Sequence, residues 1–350
     1  MMAPPIPRRA VSLVAIIALA AACEAAPAVS APASGIASQD AMETALASEP
    51  PGSSPSPIPA LTATALSDRV EAGRLDEHLS QLQAIADASG GNRATGTIGF
   101  ERSVDYVMGV LQAAGYDAER HAFAVGAATS WNVVTERPGT GEGVLVLGAH
   151  LDSVAIGAGI NDNASGVAAL LVLAEALQEL PAPSLSVRFA FWGAEEGGPF
   201  GSPAYVGSLD ADSLALIRAY LNFDMIGSSN AVTFVYDEAG AAAGSDGVTN
   251  LVSRYFERRG LPWEPIDLRG DSDHRPFIEA GVPTGGLFSG GIEPVTPEQA
   301  TRHGAVAGQP ADPCSHAACD GVANVDLARL ALMTDAIAAI LVDLAATPAG

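Results

Sequence analysis

Three apolar runs, VLVLGA, LSVRFAFW and AYLNF, each lead straight into residues that can hold a metal: His150, the pair Glu195–Glu196, and Asp224. Runs of this kind have no polar face to show to water, so they belong in a sheet covered on both sides. Helical patterns fall between them, among them the small and apolar stretch from Ala164 to Glu179. Buried strands alternating with helices predict an α/β protein, a three-layer α/β/α sandwich with a mixed, mainly parallel central sheet. Open sheets of that class bind ligands in the crevice beyond the carboxyl ends of their strands. Three strand exits with metal-binding side chains therefore point to a site as well as a fold.

Further strands are expected near 117–124, 131–137, 231–236 and 283–288, and helices over 66–89, 103–114, 247–259 and 325–345. The first of these helices is read from the spacing of Val70, Leu75, Leu79, Leu82 and Ile85. The folded domain is expected over 61–346. Residues 24–60, rich in Ala, Pro and Ser, cannot build a core and read as a disordered tether or a removable pro-segment. Residues 1–23 read as a signal peptide: Arg8 and Arg9 precede the apolar stretch Val11–Ala22, which is too short to span a bilayer. The stretch closes on LAAAC, which resembles a bacterial lipobox, where signal removal leaves a lipid-modified Cys23. Ala20 stands where Leu is usual, and Ala20-Ala21-Ala22 fits ordinary A-x-A cleavage equally. Either way the chain is expected outside the cytoplasm: secreted, periplasmic, or held to a membrane through Cys23.

The formal net charge is −23, and all 17 basic residues are Arg. An acidic chain is a poor partner for nucleic acid, which needs Lys and Arg against phosphate. With no Lys, Schiff-base chemistry, pyridoxal phosphate attachment and a P-loop are excluded. Apart from Cys23 there are two Cys, Cys314 and Cys319; a pair this close in an exported protein is most simply a disulfide.

His150 and Asp152 are two apart, so Asp152 can hold the second imidazole nitrogen and fix the tautomer. Asp162 lies in the Gly-rich loop GINDNASG, where a carboxylate can bridge two metals or simply cap a helix. Adjacent residues cannot point the same way, so one of Glu195 and Glu196 can ligate while the other faces a metal-bound water. Two His remain as the last ligand: His316, bracketed by the two Cys and followed by Asp320, and His274 in GDSDHRPF. Spacing alone does not choose between them. Two zinc ions and one free carboxylate suffice to hydrolyse an amide with water.

From Arg93 onwards the chain resembles the secreted bacterial di-zinc leucyl aminopeptidases, the Streptomyces-type enzymes of peptidase clan MH. The resemblance rests on GFERSVDYVMGVLQAAGY, NVVTERPG, GAHLDSV, GINDNASG, WGAEE, FGSPAYV, NFDMIGS, SDHRPF, AGVPTGGLFSG and DPCSHAACD, all in order. It implies a zinc-peptidase fold of about eight strands, two Zn2+ ions, and removal of one residue at a time from peptides with a free N-terminus. It also selects His316 over His274: His150 and Asp224 bind one zinc, Glu196 and His316 the other, Asp162 bridges, and Glu195 is the general acid/base. Met225, Gly270 and Phe288 match positions lining the pocket for the first residue, and Asp271 stands where such relatives have Arg. Ser315 replaces a Tyr thought to stabilise the oxyanion. The family's calcium site is doubtful, because Asp335 matches one ligand but Ala331 stands where another acid belongs. A monomer is expected. The rival readings are a dipeptidase, a carboxypeptidase or a glutaminyl cyclase on the same fold, and a non-enzymatic binding module. A structural zinc site is disfavoured because such sites use closed Cys/His sets.

Overall fold

The structure, a computed structural model, describes residues 60–237, 241–267 and 271–346. The signal segment with Cys23, the Ala/Pro/Ser stretch up to residue 59, and Gly270 lie outside the described residues. Eight strands form one sheet: β1 (Glu119–Val125), β2 (Ala128–Arg137), β3 (Val144–His150), β4 (Ser186–Trp192), β5 (Ile217–Asp224), β6 (Phe234–Tyr236), β7 (Glu264–Ile266) and β8 (Thr284–Phe288). Their order across the sheet is β1-β2-β4-β3-β5-β8-β6-β7. The central four, β4, β3, β5 and β8, run parallel, while β1–β2, β2–β4 and β6–β8 pair antiparallel. The sheet is mixed, as expected, and the strands that end at metal-binding residues are its parallel centre.

Side chains alternate faithfully across that centre. On β3, Leu145, Leu147 and Ala149 enter one apolar core, and Val144 and Val146 enter the other. On β4, Val187, Phe189 and Phe191 go to the first face, Ala190 and Trp192 to the second. Helices Ala72–Asp87, Ile98–Ala113, Ser165–Gln178, Ser245–Arg258 and Leu327–Ala346 supply the first core, and the shorter helices Gly201–Ser208 and Arg275–Glu279 flank the second. Helix Ser165–Gln178 is apolar nearly all round because it is packed on every side, with only Glu175 and Gln178 outside the buried set.

The helix expected over 66–89 is broken into Ala63–Ser67 and Ala72–Asp87. Leu66 and Leu75 are both fully buried in the same core. In one continuous helix their nine-residue separation would put them on opposite faces, roughly 180° apart at 3.6 residues per turn. The break lets both be buried. Strand β7 was not legible because it is three residues long and contains Pro265, which is tolerable only at an edge such as this one.

Candidate metal centre

His150 is the last residue of β3 and Asp224 the last of β5. The register that pairs Gly148 with Asn222 brings His150 level with Asp224. His150 Nε2 lies 3.4 Å from Asp224 Oδ1 and 3.2 Å from Asp162 Oδ1. On the other side of Asp162, His316 Nε2 lies 3.3 Å from its Oδ2 and 3.1 Å from Glu196 Oε2. The ligand atoms form two groups, His150–Asp162–Asp224 and Asp162–Glu196–His316, each within 4.8 Å. Asp162 belongs to both.

Local backbone puts these side chains there. Among the described residues, three that are not glycine have left-handed φ: Ala194 (58°), Met225 (48°) and His316 (53°). Ala194 precedes Glu195, Met225 follows Asp224, and His316 is itself in a ligand group. Each such conformation is disfavoured, persists only where its surroundings impose it, and tends to gather at functional sites. Asp162 sits in the segment Ile160–Ala164, and its peptide bond to Asn163 is cis. Gly159 opens that segment at φ 66°; a Cβ there would lie 2.4 Å from Ser153 Cβ and 2.5 Å from Asp162 O, so only glycine fits.

The surrounding hydrogen bonds hold the segment. Asn161 N–H donates to Asp320 Oδ1 at 2.8 Å and Asp162 N–H to Oδ2 at 3.0 Å. Asn163 Nδ2 donates to Phe223 O at 2.9 Å, while its Oδ1 accepts from Gly166 N and Met225 N. Arg93, fully buried, donates to the carbonyls of Leu151, Ala158 (2.9 Å) and Gly159 (2.6 Å), the stretch that joins His150 to Asp162. Behind Asp224, Ser272 Oγ donates to its Oδ2 at 3.2 Å.

Asp152 takes two parts. Its main-chain oxygen is nearer to His150 Nδ1, at 3.3 Å, than its carboxylate is, at 3.7 Å. The carboxylate instead accepts from Glu195 N–H at 3.0 Å and from Thr95 Oγ1 at 3.1 Å. The residue therefore fixes both the imidazole and the main chain of Glu195.

Carboxylates dominate the electrostatics. Burial pushes the Glu196 carboxyl up to about 8, with Asp162 adding to the rise. Burial also holds Glu195 well above the usual range against the pull of His150, and Asp273, Asp224 and Asp152 reinforce it. His316 is raised to about 9 by its hydrogen bond to Asp162. For His150, burial opposes the charge, but Asp224, Asp152 and Asp162 outweigh it and hold the imidazole well above its ordinary value. Asp162 is depressed: burial works against its charge, and hydrogen bonds from the two His overcome it. Asp273, buried with neither oxygen in a well-formed hydrogen bond, is lifted to about 7 by burial.

These residues fit a divalent cation. Glu196 Oε1 is buried without a hydrogen-bond partner, and buried Asp224 Oδ1 has only the long contact to His150 Nε2 at 3.4 Å; carboxylate oxygens in that state call for a positive charge. Imidazole nitrogen with carboxylate oxygen, and no thiolate, is the donor set of catalytic rather than structural zinc.

The centre opens into a cleft of about 610 Å3 whose lining includes Glu195, Met225, Asp271, Phe288 and Ser315. Asp271 is exposed at its rim. His274 belongs to neither ligand group and lies buried, edge-on to Tyr236 at 5.1 Å. Cys314 and Cys319 form a disulfide around His316. Asp335, the acid the resemblance assigns to calcium, accepts the Tyr255 hydroxyl and faces Arg259 at 4.0 Å. Sequence reading did not find the part played by Arg93, an Arg in a loop of Gly and Asn, although its full burial sets it apart.

Peptidase family M28 accounts for residues 132–341, and the chain belongs to that family. It is 45% identical over 265 residues to leupeptin-inactivating enzyme 1 of Streptomyces exfoliatus, covering 75% of this chain and 59% of that relative. The chain thus spans about three fifths of the relative's length. A zinc aminopeptidase from Bacillus subtilis is 28% identical with a TM-score of 0.54, covering 65% of this chain and 53% of that one. An aminopeptidase from Aneurinibacillus sp. strain AM-1 shares the fold at a TM-score of 0.67 and 17% identity, covering 82% and 97% of the two chains.

Proposed function

We propose that the chain is an exported aminopeptidase that uses two zinc ions to hydrolyse the first peptide bond of peptides with a free N-terminus. The observation that carries this reading is the pair of ligand groups sharing Asp162, beside a half-buried Glu195 that lines the same cleft, in a member of family M28. His150 and Asp224 would hold one ion, Glu196 and His316 the other, with Asp162 between them. When bound, the ions lower the pKa of water and polarise a carbonyl. Glu195 then acts as general acid/base, taking a proton from the attacking water and giving it to the departing amine. A carboxyl raised by burial suits that shuttle, because a stronger hold on the proton makes it a better base toward water than an ordinary carboxylate. Asp152 keeps Glu195 aimed through its main-chain N–H. The α-ammonium of the substrate meets walls rich in carboxylates, among them Asp271 and Glu293. Ser315 Oγ lies 4.0 Å from Met225 Sδ; it is too short to reach where a Tyr would, so this reading includes no phenol donor. The disulfide and the N-terminal signal pattern support export, with residues 1–23 as the signal and 61–346 as the peptidase domain.

The test is hydrolysis of Leu-p-nitroanilide against its N-acetylated form, with zinc and with chelator. Zinc-dependent cleavage of the free-amine substrate alone is expected, with kcat lowered roughly 10²–10⁴-fold in Glu195→Gln. Equal cleavage of the acetylated form, or full activity in Glu195→Gln, would refute the reading.

A further inference from the structure

A second cavity, of about 470 Å3, adjoins the metal cleft. Its walls are mainly apolar, from Val232, Phe234, Ile266, Val295 and Ala311, with Thr296 and Gln299 as polar members, and it shares Phe288, Gly291 and Glu293 with the cleft. Strand register fixes its distance from the chemistry. Phe288 is paired with Asp224 across β8 and β5, and Phe234 with Phe288 across β6 and β8. Neighbouring strands are about 4.8 Å apart, so Phe234 lies about 10 Å along the sheet from the ligand Asp224. The rings of Phe288 and Phe234 stack at 5.9 Å and 27°; Phe288 lines both cavities and Phe234 only the second. Gly291 and Glu293 also line both cavities, and Ile292 between them is 60% exposed.

We infer that this cavity is a subsite for an apolar side chain of the peptide residue that follows the scissile bond. The inference rests on the aminopeptidase reading. Such an enzyme has one residue before the bond, and the Met225 and Phe288 face of the cleft is available to its side chain. Across the sheet Phe288 stands between Asp224 and Phe234, so the cavity that Phe234 lines lies past that face and is placed for what comes after the bond. An extended peptide advances about 3.3 Å per residue, and a large side chain passing Phe288 covers the remaining distance. The pocket walls offer an apolar side chain the contacts they cannot offer a charged one.

The experiment compares Leu-Ala-amide with Leu-Phe-amide for the zinc-loaded protein and for Ile266→Trp, which fills the cavity without touching the metal centre. Leucinamide and phenylalaninamide, which have nothing beyond the bond, serve as controls. Wild type is expected to favour Leu-Phe-amide by about tenfold or more in kcat/KM. Ile266→Trp should abolish that preference and leave leucinamide within about twofold, the scale of a change outside the pocket used. If Ile266→Trp fails to fold, Ile266→Ala should shift the preference toward Leu-Trp-amide. Equal handling of the two dipeptide amides by wild type, or an unchanged preference in a folded variant, overturns the inference. So does selective loss of phenylalaninamide over leucinamide, which would assign the cavity to the residue before the bond. Failure to cleave Leu-p-nitroanilide at all would instead sink the aminopeptidase reading, and this inference with it.

Discussion

The carboxylate of Asp320 accepts the main-chain N–H of Asp162 at 3.0 Å, so a residue four beyond His316 sets the backbone of the ligand shared by both groups. Burial lifts Asp320 to about 7, while the two N–H donors pull the other way. Asp320→Ala removes both acceptors and frees the segment Ile160–Ala164. Zinc affinity should fall about 10–100-fold, the usual effect of losing a group that orients a ligand. Competition with a chromophoric chelator measures this, and undiminished affinity in a folded variant would show that Asp320 does not govern Asp162.

Arg93 is the buried counterpart to this acidic centre. Burial lowers its guanidinium to about 10, and Asp152, Asp320, Glu196 and Asp162 resist the drop, so it stays charged at neutral pH. Arg93→Met would strand the carbonyls of Leu151, Ala158 and Gly159. Loss of stability by about 3 kcal/mol or more is expected, since unmet buried groups cost about 1–3 kcal/mol each. Arg93→Lys should recover only part, because an ammonium cannot reproduce the guanidinium fork. Urea unfolding of the three proteins decides it; a loss below about 1 kcal/mol for Arg93→Met would contradict this role.

What the sequence made legible follows from this division. His150, Glu195, Glu196 and Asp224 stand at the ends of apolar runs, and a buried strand announces its own end. Asp162 and His316 sit in loops, where no periodicity exists, and family resemblance rather than spacing separated His316 from His274. Arg93 was hidden because its acceptors lie 58 to 66 residues away in the chain. Asp152 was expected to reach His150 with its carboxylate; the main-chain oxygen is the nearer, a choice decided by a turn that no pattern encodes. The helix break between Ser67 and Ala72 is likewise set by what Leu66 and Leu75 must both reach.

The metal-free protein should lose stability as pH rises. Glu196 at about 8, His316 at about 9, and Asp273 and Asp320 at about 7 all bind protons more tightly folded than unfolded. Between about pH 5 and 9 the folded state thus holds more protons, and stability falls with pH there. The depressed Asp162 acts oppositely, but its contribution is complete above its unfolded value of 3.8. Thermal unfolding in chelator should show Tm lower at pH 8.5 than at pH 5 by about 3 °C or more, the scale of a 2 kcal/mol change in a domain of this size. Zinc should reverse the trend, since it competes with protons for the same atoms. A metal-free Tm that climbs over this range would contradict the assignment.

His316 differs from His150 in how it is held. The His150 side chain is 2% exposed at a strand end, whereas that of His316 is 61% exposed, in a loop closed by Cys314–Cys319. Its left-handed backbone is disfavoured and must be imposed by that loop. Besides the cross-link, the loop is tied down by Cys314 N–H donating to Asp312 at 2.8 Å and by the bonds of Asp320. Replacing both Cys by Ser should therefore weaken the Asp162–Glu196–His316 group and spare His150–Asp162–Asp224. Stepwise zinc titration should show one site weakened by about tenfold or more, within the range for lost support around a ligand, and the other nearly unchanged. Equal weakening of both would mean that the disulfide acts on the fold as a whole; no weakening would mean that Asp312 and Asp320 hold the loop without it.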